Sequence, residues 1–472
     1  MKKLLFSFIF SVIVAGILAQ SSIDRLVNNP SVKNATVGVL VKNMKNGNDV
    51  VSYNSNKSLT TASIMKVITT AAALDALGGD FKYKTTIGID KNNPARILVL
   101  GSGDPTLGSS AFPENNDFLK LWAQKCQSRC ATKNTWSVYV ADDIFGYDGV
   151  SPEWTWIDMA NYFAPTISGI AVYDNTLSVY LDSSNGRYQP TVKRTSPIIR
   201  DLKITNLLTL NNTGKDNGYF YGIPFENERT LRGNIPSGKS NFIIKGDIPD
   251  PGKVLANDFA DALRRVGVNV QNAVTAKDDY FASGNNSYTM GEEIFTLLSP
   301  ALSDIIRETN VNSNNLYAEH LIRTLGRTQN KDKYADALTL GTSFVSKFWK
   351  QKGISVDGFT MLDGSGLAPN NAATPQMMCD ILTYMYQKSK YNTAFYNSLP
   401  KAGSEGTVKN VLKDSKYQNK IRMKSGSISG VQCYTGYLID GSKNYAFCIM
   451  VNKFNGERSE VRKAVENFLL SL

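Results

Sequence analysis

Between Thr36 and Tyr53 the chain reads TVGVLVKNMKNGNDVVSY, with apolar residues alternating on either side of an Asn-Gly pair. Period-two alternation around that dipeptide predicts a β-hairpin. The next segment, TASIMKVITT, changes to a helical pattern and predicts a helix beginning near Thr61. Towards the other end, GVQCYTGYLI and NYAFCIMVNKF are two more strand patterns joined at DGSK, and ERSEVRKAVENFLLSL reads as a helix. Strands at both ends with helices between them predict one sheet assembled from distant segments.

The middle has another texture. From about Lys82 to Tyr288 it is rich in short strands, Asn, Gly and Pro. ILVLGSGDPTL reads as a strand running into a turn, TWSVYVADDIF as another strand, and DPGKVLANDFADALRRVGVNV as a helix. This is the pattern of β-rich material inserted into a helix-and-sheet domain, after which helical patterns return from about Thr296. A chain of 472 residues exceeds one hydrophobic core, so two or three domains are expected.

Composition adds the compartment. Met1, Lys2 and Lys3 precede an apolar run from Leu4 to Leu18, then Ala19 and Gln20. That is the pattern of a secretory leader cleaved after Ala19, with an uncleaved anchor as the alternative. No later segment approaches the ~20 apolar residues of a membrane span, so a soluble exported protein is expected, periplasmic or otherwise extracytoplasmic. The formal charge is +11, and loss of Lys2 and Lys3 with the leader leaves about +9. A basic exported protein suits an anionic surface such as a cell wall, although a basic solvated surface needs no partner. No run of basic and aromatic residues points to nucleic acid. Among the five cysteines, Cys126 and Cys130 form a local disulfide only if a helix ends between them. No Cys and His cluster has zinc spacing, and the serine chemistry described next needs neither metal nor organic cofactor.

The candidate chemistry centres on Ser63 and Lys66. A serine attacks a carbonyl well only if a base takes its proton. The one histidine, His320, lies in the helical stretch NNLYAEHLIR, and no Gly-x-Ser-x-Gly elbow exists for it to serve, so it reads as structural. Lysine at i+3 on the same helical face can replace it when desolvated or set beside another cation. A helix starting near Thr61 also turns its first N–H groups towards the reaction. One Ser-x-x-Lys string is weak, but two further strings accompany it. VNSNNLYAEH supplies Ser313 and Asn315 where a loop enters a helix, and RMKSGSISGV supplies Lys424, Ser425 and Gly426 at a strand start. Ser-x-x-Lys, Ser-x-Asn and Lys-Thr-Gly in this order are the signature of penicillin-binding proteins and class A β-lactamases. In that chemistry Ser313 relays a proton between Lys66 and the leaving amine, and Asn315 holds the substrate amide. Lys424 and Ser425 bind a terminal carboxylate, and Gly426 leaves room along the strand edge. The N–H groups of Ser63 and Ser427 form the oxyanion hole.

With these motifs the chain resembles the class C low-molecular-mass penicillin-binding proteins, the D-alanyl-D-alanine carboxypeptidase/endopeptidase family. The stretches SGDPTL, DDIFGYDG, WTWIDMANYFAP, DGSGLAPNN and LPKAGSEGTV look like the family as well. The resemblance implies an α/β (α+β) transpeptidase domain of the penicillin-binding-protein/serine β-lactamase type, an antiparallel sheet flanked by helices, with two inserted β-rich domains. The implied division is a signal peptide 1–19, a discontinuous catalytic domain 20–84 and 289–472, one inserted domain 85–175 and 246–288, and another 176–245. The implied activity is cleavage of peptidoglycan stem peptides through an acyl-enzyme on Ser63, with β-lactam antibiotics as covalent inhibitors. Asp158 and Phe163 match residues that line the relatives' pocket for the free amino end of the stem peptide. An arginine of some relatives is replaced by Pro369, another pocket position by Ser429, and the usual threonine by Ser425. The competing readings are a serine β-lactamase and a non-catalytic wall-binding or penicillin-sensing protein.

Overall fold

The computed structural model describes residues 22–131, 134–184 and 188–472, so the expected leader lies outside the described residues. Two compact units emerge. The first takes the chain up to Asp80, Leu302–Asn314 and Thr342–Leu472; the second takes Phe81–Ala301 and Asn315–Gly341.

The first unit is built on a five-stranded sheet ordered Ile421–Ile428, Val431–Asp440, Lys443–Asn452, Thr36–Asn43, Asp49–Tyr53. Every neighbouring pair is antiparallel, so both ends of the chain share one sheet, as the patterns predict. Period-two alternation sorts each strand between two covered faces. Val37, Val39 and Val41 join the core formed with Val461, Phe468 and Leu469 of the closing helix Arg458–Ser471. Gly38 lies on the other face, where a Cβ would come within 2.6 Å of Leu59 Cδ1 and 3.0 Å of Pro375 Cγ. Pro375 opens the helix Pro375–Gln387, which packs against the central strands. The helix Met65–Leu77 has no amphipathic stripe; Met65 to Leu74 are all buried, as expected of a helix apolar all round. Its one basic residue is Lys66.

The second unit is less uniformly β than the sequence texture implies. Its largest sheet runs Val270–Thr275, Trp136–Ala141, Arg96–Leu100, Lys84–Asp90, Met290–Leu298. The first three strands are mutually parallel and the last two antiparallel. Parallel strands need crossover connections, which the helices Phe118–Cys130 and Pro251–Arg265 supply. Smaller sheets between residues 176 and 247 share the apolar core with this layer through Leu177, Val179, Phe220, Leu231 and Ile244. Cys126 and Cys130 fall on one uninterrupted helix and are free buried thiols, so the break that a bridge requires does not occur. Among the described residues, no helix is long and apolar enough to cross a membrane.

Candidate active site

Ser63 sits on a 3-10 turn, Ala62–Ile64, that leads into the Met65–Leu77 helix, one turn tighter than the regular helix the pattern predicts. Ala62 has φ +45, a left-handed value that costs a non-glycine residue about 1 kcal/mol. The surroundings hold it there. A Cβ on Gly366 would lie 1.9 Å from Ala62 O, and one on Gly426 would lie 2.7 Å from Thr61 O and 3.0 Å from Ser63 N. Gly426 is therefore fixed by the close approach of its strand to the turn.

Ser63 is half-buried, and Lys66 is fully buried. Lys66 Nζ lies 3.1 Å from Ser63 Oγ and donates to Ser365 O at 2.7 Å. The loop offering that carbonyl is organised by buried Asp363, which accepts from Gly366 N at 2.6 Å, Ala368 N at 2.7 Å and Asn371 Nδ2 at 2.8 Å. Thr69 hydroxyl fastens the same loop to the helix through Gly364 O, at 2.7 Å.

Lys424 Nζ donates to Ser313 Oγ at 2.8 Å and to Ser425 O at 2.7 Å. Burial, and after it the Lys66 charge, pushes the Lys424 amine well below the ordinary lysine range. Ser313 has φ +59, a second left-handed residue at the site. Ser425 is half-buried and donates to Thr407 Oγ1 at 2.9 Å; exposed Ser427 donates to Gln432 Oε1 at 2.8 Å. Thus Ser63 and Lys66, and Ser313 and Lys424, come together as two hydrogen-bonded pairs in the first unit.

Asn315 opens the helix Asn315–Gln329 of the second unit, and its Nδ2 donates to Phe163 O at 2.6 Å. Asp158, half-buried in the same unit, accepts from the Thr155 hydroxyl at 2.6 Å. His320 is wholly buried, hydrogen-bonded through Nδ1 to Gly103 O at 2.8 Å, and held down to about 4 by burial. That is the structural histidine the sequence implies. Pro369 offers a backbone carbonyl to Thr60, and Ser429 is exposed.

Sequence reasoning assigned no role to Asp363, Ser365, Asn371 or Thr407. The Asp-Gly-Ser-Gly string was the available signal, since an aspartate before glycines is suited to accept backbone N–H groups in a turn. Ser365 contributes through its carbonyl, which no residue type announces.

The sequence profile of the D-Ala-D-Ala carboxypeptidase 3 (S13) family matches residues 19–472. A D-alanyl-D-alanine carboxypeptidase of Actinomadura sp. (strain R39) is 24% identical over 456 residues, covering 93% of this chain and 81% of its own. Penicillin-sensitive carboxypeptidase A of Dictyostelium discoideum is 24% identical over 455 residues, covering 90% and 84%. Among solved structures, penicillin binding protein 4 of Haemophilus influenzae superposes with a TM-score of 0.78 at 20% identity, over 95% of this chain and 97% of that one.

Proposed function

Because the chain belongs to the D-Ala-D-Ala carboxypeptidase 3 (S13) family, and is a serine-type D-alanyl-D-alanine carboxypeptidase, we propose that it works through an acyl-enzyme on Ser63. The observation that carries this reading is the buried Lys66 amine 3.1 Å from a half-exposed Ser63 hydroxyl. Lys66 takes the Ser63 proton while Oγ bonds to the carbonyl carbon of the penultimate D-alanine. The N–H groups of Ser63 and Ser427 receive the developing oxyanion, a role supported by the contact of Gly426 with the Ser63 turn.

As the C–N bond breaks, the proton returns to the leaving amine through Ser313, whose hydroxyl is hydrogen-bonded to Lys424. Lys424 and Ser425 hold the substrate's terminal carboxylate. Asn315 holds the substrate amide, and Asp158 with Phe163 recognises the amino end of the stem peptide. Water then hydrolyses the ester. If the leaving amine belongs to a neighbouring stem peptide rather than a free D-alanine, the same steps cut a cross-link. The enzyme acts outside the cytoplasm after loss of residues 1–19, on peptidoglycan peptides, and β-lactams acylate Ser63 because their strained amide imitates that substrate. The catalytic domain comprises 20–84 and 289–472, with the insertions at 85–175 with 246–288 and at 176–245.

The test is intact-mass analysis of the mature protein with benzylpenicillin, followed over hours beside Ser63→Ala. One stable adduct, absent from the variant, is expected. Rapid release of penicilloate without a lasting adduct would mean a β-lactamase instead, and neither adduct nor turnover would leave only a binding protein.

A further inference from the structure

The side chain at position 425 is a serine. Threonine is stiff about χ1, because two heavy atoms on Cβ restrict its rotamers. Serine has three open rotamers and a freely rotating hydroxyl. On a strand edge meant to present one hydroxyl to a carboxylate, the smaller residue needs an external hold.

That hold is present. Ser425 Oγ lies 2.9 Å from Thr407 Oγ1, and Thr407 sits on a 3-10 turn, Gly406–Val408, packed against the Ile421–Ile428 strand. The turn is itself anchored. Gly406 has φ +49, and a Cβ there would lie 2.0 Å from Val311 O, at the end of the helix that precedes Ser313. Next to it, Glu405 accepts from Lys401 N at 3.0 Å and lies 3.5 Å from Arg307 Nη2 and 3.9 Å from Arg422 Nη1. Arg307 belongs to the helix before Ser313, and Arg422 to the strand carrying Lys424 and Ser425. One short turn therefore touches both segments of the proposed proton relay and also holds the hydroxyl of Ser425.

We propose that Thr407 is a positioning residue for carboxylate recognition, aiming the Ser425 hydroxyl at the terminal carboxylate of the substrate. Resting on the acyl-enzyme reading above, Thr407 has a two-way role. Without substrate its Oγ1 accepts a hydrogen bond from the Ser425 hydroxyl. When a carboxylate arrives, Ser425 turns its O–H to the anion and Thr407 turns its own O–H to a lone pair of Ser425 Oγ. The donor chain then ends on a charge, where hydrogen bonds are strongest.

The experiment measures second-order acylation by benzylpenicillin and by its methyl ester, which lacks the negative charge. Thr407→Val keeps the shape and removes the hydroxyl; it should slow benzylpenicillin about tenfold, as loss of one hydrogen bond to a charged system does, and leave the ester rate unchanged. Thr407→Ala should behave alike, and Thr407→Ser should recover most of the rate. In a Ser425→Thr background, where the branched side chain fixes its own hydroxyl, Thr407→Val should lose less than twofold. An unchanged benzylpenicillin rate in both Thr407→Val and Thr407→Ala, or equal losses on acid and ester, would overturn the proposal. Failure of the parent protein to acylate at all, or adduct formation in Ser63→Ala, would instead overturn the acyl-enzyme reading.

Discussion

Gly366 and Gly426 both meet the backbone of the turn that carries Ser63. Gly366→Ala combines a left-handed backbone at φ +79 with an added carbon 1.9 Å from Ala62 O, and should cost about 3 kcal/mol. Gly426→Ala has only the steric part, about 1–3 kcal/mol. Its benzylpenicillin acylation should fall by more than its thermal midpoint implies, because the displaced atoms include Ser63 N; paired rate and melting measurements check this. Two buried titrating groups of the second unit oppose each other with pH. His320 is held down to about 4 from an ordinary 6.5, so the unfolded chain binds its proton first, and stability falls as pH drops from 6.5 to 4. Asp104 is pushed up to about 6 by burial, so the folded chain binds that proton first, and stability rises as pH drops from about 6 to 3.8. Thr106 N and Oγ1 donate to the same carboxylate, at 2.8 and 2.7 Å. Asp104→Asn should therefore lose more of its melting temperature between pH 7 and pH 4.5 than the parent does; an equal loss would count against the assignment.

The loop from Asp363 to Asn371 works as an element because one carboxylate gathers three donors. Asp363→Ala leaves buried N–H groups unsatisfied and should lower stability by about 2–4 kcal/mol. It should also release the Ser365 carbonyl from Lys66, so that acylation slows even in well-folded material at low temperature; denaturant titration and acylation kinetics together separate the two effects. This loop shows where sequence reading stops. The hairpin at Thr36–Tyr53 and the strand pair at 431–452 were legible because alternation and turn residues are local signals. The pairing of Ser63 with Lys66 and of Ser313 with Lys424 could be anticipated because side-chain chemistry is written in residue types. The left-handed Ala62 and Ser313, the Ser365 carbonyl and the Thr407 hydroxyl could not be, because each depends on a neighbour distant in the chain. The parallel pairing of Arg96–Leu100, Trp136–Ala141 and Val270–Thr275 escaped for the same reason: a short buried strand does not name its partner.

At the scale of the molecule, each unit has its own apolar core, and the second also buries an ion pair, Arg229 Nε to Asp247 Oδ1 at 2.8 Å. Arg229→Met strands a buried carboxylate whose other oxygen is held by Thr166, and should cost about 3–5 kcal/mol. Hydrogen exchange should quicken across residues 176–247 while the strands 421–452 keep their protection; equal quickening in both would mean that the units open together. The first unit has a different dependence, on time. Its proposed nucleophile, Ser63, is laid down within the first seventy residues, whereas the strand that presses Gly426 against Ser63, and the two strands that join it to Thr36–Asn43, come from the last fifty or so. A growing chain thus carries Ser63 through about 390 further residues of synthesis before its sheet can close. On the proposed mechanism the serine is an ordinary alcohol during that interval, and a β-lactam would meet a competent target only in molecules whose final strands have already been made.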